Sequence, residues 1–144
     1  MVKSVVKSKE KSETKLTLTS FGKLRGRFKM RMWMIPVACL CGVHLRAEHY
    51  EIHKAAGNLR RSGRWATALV RKGFLEPQNF VTRHDGIAEE MLRRGYRHLS
   101  PLEFSGIAFE DGAVDEARSY RDLAGRCPGC RKRIQEHLGK EASL

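Results

Sequence analysis

Four cysteines and one histidine carry the spacing most typical of metal binding in this chain of 144 residues. Cys127 and Cys130 are separated by a proline and a glycine, and this C-x-x-C spacing suits two ligands of one Zn²⁺ ion. Cys41, with either Cys39 or His44, would complete the site and join the carboxyl-terminal segment to the first predicted helix. The alternative is two unrelated pairs of reduced thiols, because C-x-C is a weaker signal than C-x-x-C.

A second candidate site is a polar stripe along the helix predicted at residues 41–61. At about 3.6 residues per turn, Glu51 shares this stripe with His44 and Asn58, beside an apolar arc. A carboxyl group at such a border is partly desolvated, which raises its pKa toward the range of a general acid. The alternative is a solvated helix glutamate that pairs with Lys54.

The charge of the chain indicates a polyanionic partner. Lys and Arg number 28 against 16 Asp and Glu, a formal net charge of +12. Cations that neutralise phosphates release condensed counterions, so nucleic acid is the leading partner class. RNA or ribosome binding is compatible with the charge, but the chain has no recognisable aromatic-rich RNA motif.

The elements that position these residues are predicted to be helical. The periodicity favours a compact, single-domain, all-α fold with long loops, and it predicts helices at residues 41–61, 65–72, 77–94 and 114–124 and another after Cys130. Trp33 and Trp65 are interpreted as core aromatics, with a wedge against an unstacked base as the alternative for either, and Leu92 is assigned to the apolar face of the helix at residues 77–94. The remaining helix-associated histidines are interpreted as surface or phosphate-facing residues, namely His49, His53, His84 and His98.

The domain organisation predicted is a basic extension followed by one domain. Residues 1–29 are rich in Lys and Ser and poor in periodic apolar residues, so they are interpreted as a disordered basic arm, with one short strand possible at residues 15–19. Residues 30–144 form the helical domain, which is expected to be a monomer. No apolar stretch reaches the length of about 18 residues that a membrane span needs, and a cytoplasmic location in a bacterial or phage-infected cell is expected.

Two blocks of sequence carry a family resemblance. MRMWMIPVACLCGVHLRAEHYEIHKAAGNLRR at residues 30–61 and IAEEMLRRGY at residues 87–96 resemble the pyrimidine-dimer DNA glycosylases, the family of phage endonuclease V and its bacterial relatives. The resemblance implies a DNA-repair glycosylase with abasic-site lyase activity that acts on damaged double-stranded DNA. It implies no cofactor for catalysis, so the zinc site would be structural.

The resemblance also implies roles for single residues. Glu51 matches the catalytic glutamate, and Met30 matches the terminal residue whose α-amine forms an imine with the damaged sugar. The matching positions that hold DNA or line the site are Arg31, His44, Lys54, Arg60 and Arg61.

The position of Met30 conflicts with this chemistry in the chain as written. An internal nitrogen is an amide and forms no imine, so the active form is expected to begin at Met30. The alternatives are that the long form is inactive or that Lys29 replaces the amine. A non-catalytic, zinc-stapled DNA-binding protein on the same fold is the alternative function.

Overall fold

A computed structural model of the protein describes residues 31–142, and the regular secondary structure in this range is helical. The helices are α1 (Gly42–Arg61), α2 (Arg64–Arg71), α3 (Phe80–Arg93), α4 (Glu116–Arg126) and α5 (Pro128–Ala142). Short 3-10 turns precede α1 at Val37–Cys39 and α3 at Pro77–Asn79. The all-α prediction is confirmed for this part of the chain, in which there is no strand. The predicted basic arm at residues 1–29 and its possible strand lie outside the described residues.

The central element is α1, which packs against α2 and α3. Its apolar arc is buried as the periodicity predicts, through Leu45, Ile52, Ala55, Ala56 and Leu59. Gly63 has a left-handed φ of 71°, a conformation that glycine adopts without steric cost, and it turns the chain directly into α2. The side chain of Asn58 caps that helix, since its Oδ1 accepts a hydrogen bond of 2.9 Å from the Ala66 backbone nitrogen.

Two predictions of burial are wrong, although the predicted helices exist. Leu92, expected on the buried face of α3, is 59% exposed, and Trp65 is 39% exposed. Trp33 does lie in the core. The buried face of α3 also contains polar side chains that the apolar pattern did not predict, including His84 and Glu90.

The segment before α1 runs through the core instead of over the surface. Met32, Ile35 and Leu40 are fully buried, and the backbone nitrogen of Met32 donates a 2.8 Å hydrogen bond to the carbonyl of Phe74. The loop between α3 and α4, residues 94–115, closes over the other side, where the ring of Phe104 packs 5.1 Å from that of Phe80.

The carboxyl-terminal helices α4 and α5 form a pair, and α5 packs against the Val37–Cys39 turn. The last helix begins earlier than predicted, at Pro128 instead of after Cys130. Proline suits the first turn of a helix because it has no N–H to leave unpaired. The C-x-x-C motif is therefore the start of α5 and not a free-standing turn.

A buried ion pair joins α1 to α3. The guanidinium of Arg83 donates to both carboxylate oxygens of Glu48, at 2.7 and 3.1 Å, and Glu48 is fully buried. Arg83 also donates to the carbonyl oxygen of Ile35 at 2.6 Å. The pair thus connects α1, α3 and the segment before α1 at one point.

Among the helices of residues 31–142, none is both long enough and apolar enough to cross a membrane.

We expect Arg83→Met to lower the free energy of unfolding by about 3–5 kcal/mol, because it leaves the buried Glu48 carboxylate without a counter-charge. Urea denaturation measures the loss. Arg93→Met is the matched control, since Arg93 lies on the same helix and pairs with Glu90 but its side chain is 63% exposed. Equal losses in the two variants would contradict a special role for the buried pair.

Candidate active site and metal-ligand clusters

Glu51 lies on α1 where that helix meets the beginning of the described chain. It is half-buried, and its Oε1 accepts a hydrogen bond of 3.4 Å from the backbone nitrogen of Arg31. Burial raises the pKa of Glu51 to about 8; the Arg31 hydrogen bond opposes this rise and the nearby Glu48 adds to it. The carboxyl group therefore holds a proton near neutral pH and can donate it. This direction agrees with the prediction from the position of Glu51 at the border of the apolar arc.

The Arg31 nitrogen that contacts Glu51 is the nitrogen of the peptide bond to Met30. Met30 itself is outside the described residues. The described contact is therefore directly next to the position that was predicted to carry the nucleophile.

The side chain of Arg31 is buried inside the protein and is not exposed as a phosphate contact would be. It is 6% exposed, donates to Ser119 Oγ at 2.8 Å, and pairs with Asp122 at 3.4 Å. Its guanidinium carbon lies 4.2 Å from the centre of the Trp33 ring. Burial lowers the pKa of Arg31, and Asp122 partly offsets this effect. In this structure Arg31 joins the start of the described chain to α4.

The exposed basic residues lie around an open groove beside the second half of α1. Its volume is about 530 Å³, and its walls are His53, Lys54, Gly57, Asn58, Arg61 and Trp65. The Lys54 ammonium lies 5.9 Å from the centre of the Trp65 ring. Two of the predicted DNA-binding residues, Lys54 and Arg61, thus share this basic groove, and exposed Trp65 adds an aromatic face to it. Arg60 points to the 94–115 loop, where it donates to the carbonyl of Glu103.

One cluster of potential metal ligands joins α1 to α5. Its members are Cys41, His44, Cys127 and Cys130, whose ligand atoms all lie within 4.8 Å of one another. Cys41 Sγ lies 3.3 Å from His44 Nδ1 and 3.8 Å from Cys127 Sγ, and Cys130 Sγ lies 3.5 Å from His44 Nδ1. The cluster could hold a metal ion. The 3.8 Å separation of two sulfurs is far longer than a disulfide bond of about 2.05 Å.

Hydrogen bonds within this cluster shift its thiols in opposite directions, since they lower the pKa of Cys41 and raise the pKa of Cys130. The backbone nitrogens of Cys41 and Cys130 donate to the sulfurs of Cys130 and Cys127, at 3.3 and 3.4 Å. Hydrogen bonds from Cys127 and Cys130 lower the pKa of the Cys41 thiol, against the effect of burial. A Cβ at Gly129 would lie 3.1 Å from that of Cys41, so the absence of a side chain lets the two segments approach closely.

The structure selects His44 over Cys39 as the fourth member of this cluster. Cys39 is fully buried in the hydrophobic core and is not in the cluster. The physical reason is spacing. Cys41 and His44 are three residues apart, about one helical turn, so they share one face at the start of α1, whereas Cys39 lies in the preceding 3-10 turn. Of the two alternatives that the sequence left open, the geometry therefore favours His44, and a role of His44 toward DNA stays a prediction.

A second cluster was missed by the sequence analysis. His49 and His53 on α1, His84 on α3 and His98 in the 94–115 loop, here called the histidine cluster, lie against one another instead of being spread over the surface. His84 is 1% exposed. Burial, together with the neighbouring imidazoles, lowers the pKa of His49 to about 4. The available signal was the i, i+4 spacing of His49 and His53, which is typical of paired ligands on a helix.

A comparison with protein families gives one match. A family model described as pyrimidine dimer DNA glycosylase matches residues 30–104, more than half of the chain. The matched region contains α1 to α3, the basic groove and Glu51, and it ends before α4. No curated protein and no solved structure matches the chain.

Proposed function

Since the chain belongs to the pyrimidine dimer DNA glycosylase family, we propose that it is a DNA-repair glycosylase with abasic-site lyase activity. Its substrate would be double-stranded DNA that carries pyrimidine dimers or abasic sites. The observation that carries this proposal is the contact between the Glu51 carboxyl group and the backbone nitrogen of Arg31. It supports the proposal because Arg31 directly follows Met30, the residue that would carry the amine that the family's chemistry requires.

In this proposal the α-amine of Met30 attacks C1′ of the damaged nucleotide in a form of the chain that begins at Met30. The bond from C1′ to the base breaks, and the base leaves with its bonding electrons and a proton. Opening of the sugar ring breaks the C1′–O4′ bond, gives the imine and needs a proton at O4′. Glu51 can supply that proton, and its carboxylate can then remove the C2′ proton so that the 3′ phosphate leaves by β-elimination.

The proposed DNA contacts follow from exposure. Lys54 and Arg61 are exposed beside the basic groove, where they can contact backbone phosphates. Trp65 offers a ring on which an unstacked base can lie. Arg60 is also exposed, although its guanidinium is bonded to the 94–115 loop. Arg31 and His44 would act indirectly, since both make contacts inside the protein.

We further propose that the metal of the cysteine and histidine cluster is structural zinc. In a tetrahedral zinc site with Zn–S near 2.3 Å and Zn–N near 2.05 Å, two sulfurs lie about 3.8 Å apart and a sulfur and nitrogen about 3.6 Å apart. The distances between ligand atoms here, 3.8 Å for two sulfurs and 3.3 and 3.5 Å for sulfur and nitrogen, are close to these values. With four protein ligands the ion has no open position for substrate, so it would stabilise the fold and take no part in the chemistry.

We expect Glu51→Gln to lower cleavage of abasic duplex about 100-fold or more while DNA affinity changes little, because the amide keeps the shape but donates no acidic proton. Single-turnover cleavage and equilibrium binding to the same duplex separate the two effects. Glu89→Gln, an exposed carboxylate of α3, is the control. Turnover by Glu51→Gln close to that of the control would remove Glu51 from the mechanism.

We expect a chain that begins at Met30 to form a borohydride-trapped adduct with abasic DNA through its amino-terminal nitrogen. A terminal amine has a pKa near 8, so part of it is unprotonated at neutral pH, whereas a lysine near 10.4 is almost wholly protonated. Mass spectrometry of the adduct locates the attached nitrogen. Equal trapping by the intact 144-residue chain, with the adduct away from Met30, would contradict this assignment. If neither form gives an adduct but both bind duplex DNA, the non-catalytic alternative is correct.

We expect purified protein to contain zinc, and Cys127→Ser to remove one equivalent and lower the melting temperature. Elemental analysis and thermal denaturation measure the two effects. Cys39→Ala is the control that distinguishes His44 from Cys39 as the fourth ligand. With His44 as the ligand, this variant should retain the full zinc content even if the core loses stability. If the unsubstituted protein is folded but contains no zinc, the cysteines do not form a zinc site.

A further inference from the structure

The four imidazoles of the histidine cluster lie in contact with one another. The ring centre of His49 lies 4.7 Å from that of His53 and 4.8 Å from those of His84 and His98. Nitrogen atoms of His49, His53 and His84 all lie within 4.8 Å of one another. The Nε2 atom of His98 lies 3.0 Å from that of His49 and 3.3 Å from that of His84. Ligand atoms from three separate segments therefore converge.

The two nitrogen separations that involve His98, 3.0 and 3.3 Å, are close to those of metal coordination. Two nitrogens of a tetrahedral site with metal–nitrogen bonds of about 2.05 Å lie about 3.3 Å apart. Adjacent imidazole rings repel one another when they are protonated and positively charged. Two neutral ring nitrogens form a hydrogen bond only if one of them has an N–H to donate. A single cation between the lone pairs satisfies several of these nitrogens at once.

The surroundings of His84 point to a cation independently. Its Nδ1 lies 2.9 Å from the carboxylate of Asp85, an acceptor, so Nδ1 carries the proton and Nε2 has the lone pair in the neutral ring. That Nε2 faces the carbonyl oxygen of Ser100 at 3.0 Å, which is a second acceptor. A metal ion accepts both lone pairs. A carboxylate that holds the distal nitrogen of a ligating histidine is also the usual outer partner at metal sites.

We propose that the histidine cluster binds one divalent transition-metal ion of the class that imidazole prefers, such as zinc, nickel or cobalt. The ligands are nitrogens only, which separates this site from the cluster that contains Cys41. It is also separate from Glu51, because His49 and His53 each lie two residues, or about 200° of helix rotation, from that side chain. The bound ion would tie the 94–115 loop, through His98 and Ser100, to α1 and α3.

The site lies at the edge of the basic groove, since His53 belongs to both. His49, His53 and His98 are partly exposed, so an ion can enter from solvent. A bound divalent ion would add two positive charges beside Lys54 and Arg61.

Titration of the full chain with Co²⁺, after removal of bound metal under reducing conditions, tests the proposal. We expect two equivalents to bind. One should give the intense near-ultraviolet absorption of thiolate-to-cobalt charge transfer, and the other should give only weak visible bands, because it has no sulfur ligand. One equivalent with charge-transfer absorption and no other binding would overturn the proposal and leave a hydrogen-bonded histidine network.

Variants assign the sulfur-free equivalent. We expect His98→Ala to lose this equivalent and keep the charge-transfer absorption, whereas Cys127→Ser should do the reverse. His137→Ala on α5 is the control for removal of a histidine and should bind both ions. Retention of the sulfur-free equivalent with unchanged affinity in His98→Ala would contradict the assignment.

Substitution of an exposed residue that is not itself a ligand provides a second test. Asp85 is 67% exposed, so Asp85→Asn should fold normally, yet it should weaken Co²⁺ binding at the sulfur-free site about 10–100-fold. Asp111→Asn, an exposed aspartate of the 94–115 loop, should have no effect. Equal affinities in these two variants would show that Asp85 does not support a ligand.

Discussion

The rotation of α1 about its own axis is fixed by the buried pair of Glu48 and Arg83, and the candidate sites depend on that rotation. One helix carries Glu51, both α1 members of the histidine cluster, the lysine of the basic groove and the histidine of the cysteine cluster. His44 shares the side of Glu51 at another height along the helix, and the α1 members of the histidine cluster lie nearly opposite. The bidentate contact of Arg83 holds Glu48 toward α3, and the buried apolar arc of α1 agrees with the same rotation.

The family match and the structural unit do not end at the same residue. Residues 30–104 contain the glutamate and the groove, but Ser119, Asp122 and two cysteines lie beyond them. These later residues hold the Arg31 side chain and complete the cysteine and histidine cluster. The carboxyl-terminal helices therefore support the matched region at the point where the proposed chemistry occurs.

Local patterns predicted the fold well because the apolar arcs of α1 and α3 repeat at the helical period. The position of Glu51 at the apolar border predicted the direction of its pKa shift, and the resemblance of two sequence blocks predicted the family, which is confirmed. Local patterns failed where burial depends on distant segments, as for Trp65, which faces the groove, and Leu92. Spacing left Cys39 and His44 as alternatives, because the choice depends on where a 3-10 turn ends. The histidine cluster was missed because His84 and His98 join His49 only through the packing of α3 and its following loop.

Arg31 is held on both sides, by the Glu51 carboxyl group at its backbone nitrogen and by Ser119 and Asp122 at its guanidinium. Consecutive Cα atoms lie about 3.8 Å apart across a trans peptide bond, so in the proposed form the amine would start close to this fixed residue. Once DNA is bound with the damaged sugar beside Glu51, such an amine would act as an intramolecular reagent, because the entropy of encounter has already been lost in binding.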